Sequence, residues 1–207
     1  MALDPANRMR AVAYLLAFVS FALAAPSEFS RARDLYYQGA AGDKQAYEQA
    51  DKLFAVLYQK ASNNPRIRVY YGSLRLLQAS RIWALWKKNG LSKEGIQLMD
   101  AAVNEAPGDL EVRFVRAATT YDLPGFFHRR EQSESDFNLL AERAEAAARS
   151  GALEPSLAAA SLYYHGEFLE HSGKKNAAIA AWKQAIAIAP QSRAAGQSRD
   201  AIEKAGG

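Results

Sequence analysis

The chain has 207 residues, of which 49% are apolar, 23% charged and 11% aromatic, with 13 Gly and 7 Pro; this excludes disordered, collagen-like and coiled-coil compositions. It contains no cysteine, which removes disulfides, Cys-ligated zinc and thiol nucleophiles together. The formal net charge of +4 is too small a surplus to point to nucleic acid as a partner.

The first element is a targeting segment. Arg8 and Arg10 precede an uncharged run from Ala11 to Ala25, too short for a comfortable transmembrane helix and suited to the core of a secretory signal. Ala22-Leu23-Ala24 is a small-x-small cleavage pattern, so residues 1–24 are expected to be removed. Residues 25–207 then form the exported domain, periplasmic or secreted, with no membrane span. An uncleaved anchor or a buried first helix is the competing reading.

Beyond residue 30, Ala, Leu, Glu, Lys, Gln and Arg dominate, and no stretch alternates β-branched with polar residues, so the fold class is all-α. Pro65, Pro107, Pro155 and Pro190 each follow one apolar-periodic stretch and open another. Between them lie breaks at 39–43, Asn89-Gly90, Leu123-Pro124-Gly125 and Ser172-Gly173, splitting each period into two helices. The pattern predicts helices over 27–38, 44–62, 66–89, 92–106, 109–122, 131–150, 156–172, 174–189 and 192–205.

The last period reads Leu162-x2-His165-Gly166-x2-Leu169, then Ala178-x3-Trp182-x2-Ala185-x4-Pro190, and Gly95-x3-Met99-x2-Ala102-x4-Pro107 repeats the second half. These residues resemble the tetratricopeptide repeat, although Leu162, His165 and Leu169 replace its usual Trp, Leu and Tyr. Phe54-x3-Tyr58-x2-Ala61 reads as a degenerate copy, and the ladder before Pro155 is mostly Ala. The resemblance implies a right-handed superhelical α-solenoid of helical hairpins, with 192–205 as a capping helix. It also implies that first helices line a concave groove, and that the function is protein–protein interaction.

Two departures from the repeat mark candidate binding residues. No acidic residue lies between Asp51 and Glu94, whereas nine basic ones do. On one long helix over 66–89, Arg68, Arg75 and Trp86 would share a stripe, with Tyr70 and Arg81 on another. Such a groove suits a carboxylate or an acidic peptide. Alternatively, these arginines pair with carboxylates of neighbouring helices such as Asp100, Glu105 or Glu111. The second departure is the long turn around Phe126, Phe127, His128, Arg129 and Arg130. One Phe would plug the array and the other stay available, unless both tuck beneath neighbouring helices.

Signs of catalysis are few. The three histidines, His128, His165 and His171, fit no catalytic motif, and Glu167 with His171 makes too few ligands for a metal site. No cofactor is expected. The expected function is an exported, non-enzymatic adaptor that binds an envelope protein or an acidic peptide. The alternative is a component binding an anionic solute, with Arg68, Arg75, Arg81 and Trp86 closing a pocket against Phe126 and Phe127. An enclosed pocket would favour the solute, an open groove the adaptor.

Overall fold

The computed structural model describes residues 27–82 and 84–206, so the signal segment read from residues 1–24 lies outside it. Among the described residues the fold is all-helical and contains no strand. The helices are α1 (Glu28–Ala40), α2 (Lys44–Lys60), α3 (Pro65–Arg81), α4 (Leu85–Glu105), α5 (Leu110–Thr120), α6 (Arg130–Ser150), α7 (Pro155–His171), α8 (Lys175–Ile188) and α9 (Arg193–Lys204). A short 3₁₀ turn, Gly125–Phe127, separates α5 from α6. No described helix is long and apolar enough to cross a membrane.

Helix starts follow local chemistry. The side chains of Ser27, Asp43, Asn64, Asp109 and Ser192 each accept a hydrogen bond from the first turn that follows. Pro65 and Pro155 occupy first helical positions, where no backbone donor is lost. Helix ends are also repetitive. Ala61, Ala106 and Ala189 close α2, α4 and α8 with φ of −148°, −129° and −143° and ψ of 57°, 63° and 75°, and each N–H donates to the carbonyl four residues back. Three residues further on, Asn64, Asp109 and Ser192 cap the next helix.

This recurring turn sets the register of the ladder. Counting back from the three alanines aligns Ala50, Phe54 and Leu57 with Gly95, Met99 and Ala102, and with Ala178, Trp182 and Ala185, all of them buried. The proline spacing alone predicts Phe54, Tyr58 and Ala61 in those roles. The correct phase lies four residues earlier, because Ser62 rather than Pro65 stands where Pro107 and Pro190 stand. Helix α6 ends differently, in left-handed Gly151 (φ 74°), and carries Leu140, Ala144 and Ala147 on the corresponding rows. Ala144 therefore occupies the row filled elsewhere by Phe54, Met99 and Trp182.

Neighbouring helices pack in chain order, with further contacts between α3 and α5 and between α7 and α9. The second hairpin departs from expectation. The helix predicted over 66–89 ends at Arg81, a separate helix α4 starts at Leu85, and α4 runs through Asn89-Gly90 without a break. Gly72 and Gly95 set how closely α3 and α4 pair: a Cβ on Gly72 would stand 2.8 Å from the carbonyl oxygen of Gly95. These two helices touch backbone to backbone at the two glycines. Gly90 has open space around it, so helix propensity opposes it by only about 1 kcal/mol, less than the packing of α3 on α4 supplies.

Candidate functional site

Three of the four arginines on α3 are paired from within. Arg68 donates through Nε and Nη2 to the Ser62 carbonyl (2.9 and 2.7 Å) and through Nη1 to Glu105. Arg75 reaches Asp51 (2.8 Å) and lies 4.7 Å from the Tyr71 ring centroid. Arg66 holds Asp109 at 2.7 Å and Glu111 at 3.3 Å, and the hydrogen bond to Asp109 raises its pKa further. Arg81 is exposed and sits over the Tyr47 ring, 3.7 Å from its centroid. Carboxylates of α2, α4 and α5 thus take up most of the charge on α3, the alternative that the sequence left open.

Tyr70 does not line a groove. It is fully buried, stacked on Phe54 at 4.9 Å, and donates its hydroxyl proton to Glu111 Oε1 at 2.6 Å. Having spent that proton, it accepts from Tyr37 (2.8 Å). Burial, then the neighbouring Tyr37 and Glu111, push its pKa well above the ordinary tyrosine value. Trp86 lies on α4 rather than α3, so the predicted stripe with Arg68 and Arg75 does not form; its side chain is outside the described part.

The first helices are also bridged side to side. Tyr36 on α1 donates to Ser73 on α3, which donates to Thr119 on α5, each at 2.8 Å, and Thr119 ends the chain on the Val115 carbonyl at 2.6 Å. Arg33 on α1 approaches Glu111 (3.7 Å) and Glu154 (3.8 Å), at the threshold of α7.

The long turn splits its two phenylalanines. Phe126 is 72% exposed, whereas Phe127 packs partly buried against the core, with the rings 4.5 Å apart. His128 adopts the left-handed conformation (φ 53°) and closes the turn onto the Gly125 carbonyl. Arg129 pairs with Asp100 at 2.8 Å, and Arg130 stands 5.4 Å from the Phe168 ring centroid. Behind them Asp136, 2% exposed, is held by Arg113 (2.6 Å), Arg116 (2.9 Å) and Gln132 (2.8 Å). Tyr121 and Tyr163 flank this region, each pushed up to about 12 by burial first and by Glu167 second.

The structure shows a feature that the sequence reading missed: a trough of about 1080 Å³ between α6 and α8, floored by α7. Its floor is Pro155, Leu162, His165, Phe168 and Leu169. Small residues form its walls, Ala141, Ala144 and Ala148 on α6 and Ala177, Ala180, Ala181 and Ala187 on α8. Alanine at position 144, where other hairpins carry a large side chain, is one reason the space exists. The run of alanines before Pro155 was the available signal.

His165 is the polar group of the floor, its Nδ1 donating to Asn138 Oδ1 at 2.8 Å. Burial lowers its pKa below 6.5, an effect opposed by Glu142 and Glu134 and reinforced by Lys174. The neutral ring then leaves Nε2 as an acceptor. Glu134, Glu142 and Glu145 lie along the α6 wall, and Glu145 pairs with exposed Arg149 at 3.3 Å. Among the described residues no three His, Asp or Glu side chains gather as metal ligands, and His171 Nδ1 is tied to the Glu167 carbonyl at 2.7 Å. Comparison with protein-family models, curated proteins and solved structures returned no match.

Proposed function

We propose that the chain is an exported tetratricopeptide-like scaffold that holds a segment of another envelope protein in the trough between α6 and α8, and that it catalyses nothing itself. The observation that carries this reading is the trough: its apolar floor, small-residue walls and polar rim combine as in grooves that receive peptide segments. The recurring turn at Ala61, Ala106 and Ala189 and the aligned ladders support a right-handed array of hairpins capped by α9. An anionic solute finds less support, because Arg68 and Arg75 are already committed to Glu105 and Asp51. Binding thus moves from the basic first helices to the opposite, second-helix side.

A photo-crosslinking residue at Ala187, tested in the native envelope, should trap a discrete partner. The adduct should disappear when Ala180→Trp fills the trough. An adduct indifferent to Ala180→Trp would refute the trough as the binding site. For the exported form, N-terminal sequencing should begin at Ala25, and an intact Met1 in soluble extracellular material would defeat that part of the reading.

A further inference from the structure

The two walls of the trough differ in charge. Glu134, Glu142 and Glu145 stand on the α6 side together with Arg149, which pairs with Glu145, whereas the α8 wall offers alanines, Gln184 and, at its N-cap, Lys174. Glu134 and Glu142 make no ion pair among the described residues, in a chain whose net charge is +4. Both carboxylates line the trough within electrostatic reach of His165, Glu134 half-buried and Glu142 exposed at the rim.

The dimensions point to a helix. From residue 134 to residue 149 the α6 wall rises about 22 Å, the length of some four helical turns. The half of a four-turn helix that a trough engulfs occupies on the order of 800 Å³, within the space present. Alanine walls allow a partner helix to approach closely, and the half-buried Leu169 and Ile188 suit an apolar stripe.

Resting on the trough as the binding site, we propose that its occupant is an amphipathic helix with a small-residue apolar stripe and Lys or Arg along the edge that meets α6. The cations would lie against Glu134 and Glu142, two carboxylates eight residues apart on one wall, and the apolar stripe would cover His165. This partner is opposite in charge to the acidic peptide that the basic stretch had suggested.

Two labelled peptides of about 16 residues test the assignment on the full chain. Both carry Ala and Leu at alternating three- and four-residue spacing, one with Lys along a flank and the other with Glu. Fluorescence anisotropy should show the Lys peptide binding about ten-fold more tightly, with the gap narrowing as salt rises. Glu134→Lys with Glu142→Lys should reverse the preference, and the milder Glu142→Gln should reduce it in a chain of unchanged circular dichroism. Equal binding of both peptides that Ala180→Trp abolishes would overturn the basic-helix assignment and keep the trough. Binding that Ala180→Trp leaves untouched would overturn the trough itself. Binding that requires removal of residues 1–26 would make the chain's own apolar run the occupant and overturn the proposal.

Discussion

Gly72 and Gly95 meet backbone to backbone across the second hairpin, so that a Cβ on Gly72 would lie 2.8 Å from the Gly95 carbonyl oxygen. Neither residue is needed for its dihedral angles. Each is needed because nothing larger fits where α3 crosses α4.

Alanine should therefore have opposite effects at two glycines near this hairpin. Gly72→Ala forces the helices apart and should cost about 1 to 3 kcal/mol, the range for overpacking. Gly90→Ala, in open space on α4, should stabilise by about 0.5 to 1 kcal/mol. Urea denaturation of both variants checks the pair, and equal effects would mean that the helices do not touch there.

The ladder yields a second contrast. Trp182→Ala empties a fully buried site beside Gly166 and should destabilise by about 3 to 5 kcal/mol. Ala144→Met adds bulk on the equivalent row of α6, but the trough can receive it, so stability should stay within about 1 kcal/mol of the native chain. Thermal melts would decide. A large loss from Ala144→Met would show that the row is already filled.

Buried and exposed carboxylates on one helix should differ sharply. Asp136→Ala takes the shared carboxylate from Arg113 and Arg116, leaving Arg116 only Asp100 and Arg113 only the Pro107 carbonyl, and should cost about 2 to 4 kcal/mol. Glu145→Ala removes only an exposed pair with Arg149 and should change stability by no more than about 0.5 kcal/mol. Denaturant midpoints that match for the two variants would contradict the buried cluster.

His165 should make stability depend on pH below neutrality. Its folded pKa is lowered by burial, so below 6.5 the unfolded chain takes up the proton more readily than the folded one. The contribution is complete above 6.5 and is lost as pH falls through the lowered folded value. Melting temperatures measured from pH 7 to pH 4.5 should decline less steeply in His165→Gln. A parallel decline in both proteins would assign the effect to other groups.

Much of the fold could be read from the chain because helix propensity, capping residues and proline phase are local signals. Asn64-Pro65 and Glu154-Pro155 mark helix starts in the sequence and form them in the structure. The second hairpin was harder, since Asn89-Gly90 looks like a break while the actual division, between Arg81 and Leu85, goes with Gly72 meeting Gly95 on the returning helix. Candidate site residues were less legible still. Nothing in the order of residues reveals that Tyr70 points into the core toward Glu111, or that Arg75 finds Asp51, because these are encounters between helices. The trough had only a negative signature, a ladder position occupied by alanine.

The bridges from α1 bear on how this helical fold would come apart. In a chain of repeats that touch only their neighbours, stability is a sum of local terms and the ends can unzip one unit at a time. Here Tyr36 and Ser73 lead to Thr119, and Arg33 extends to Glu111 and Glu154, so the first hairpin has contacts with the third and with the start of the fourth. Pulled from its ends, such a molecule would have to break these polar ties before its first hairpin could peel away. Its hairpins are consequently poor candidates for shuffling, duplication or transplantation as separate modules.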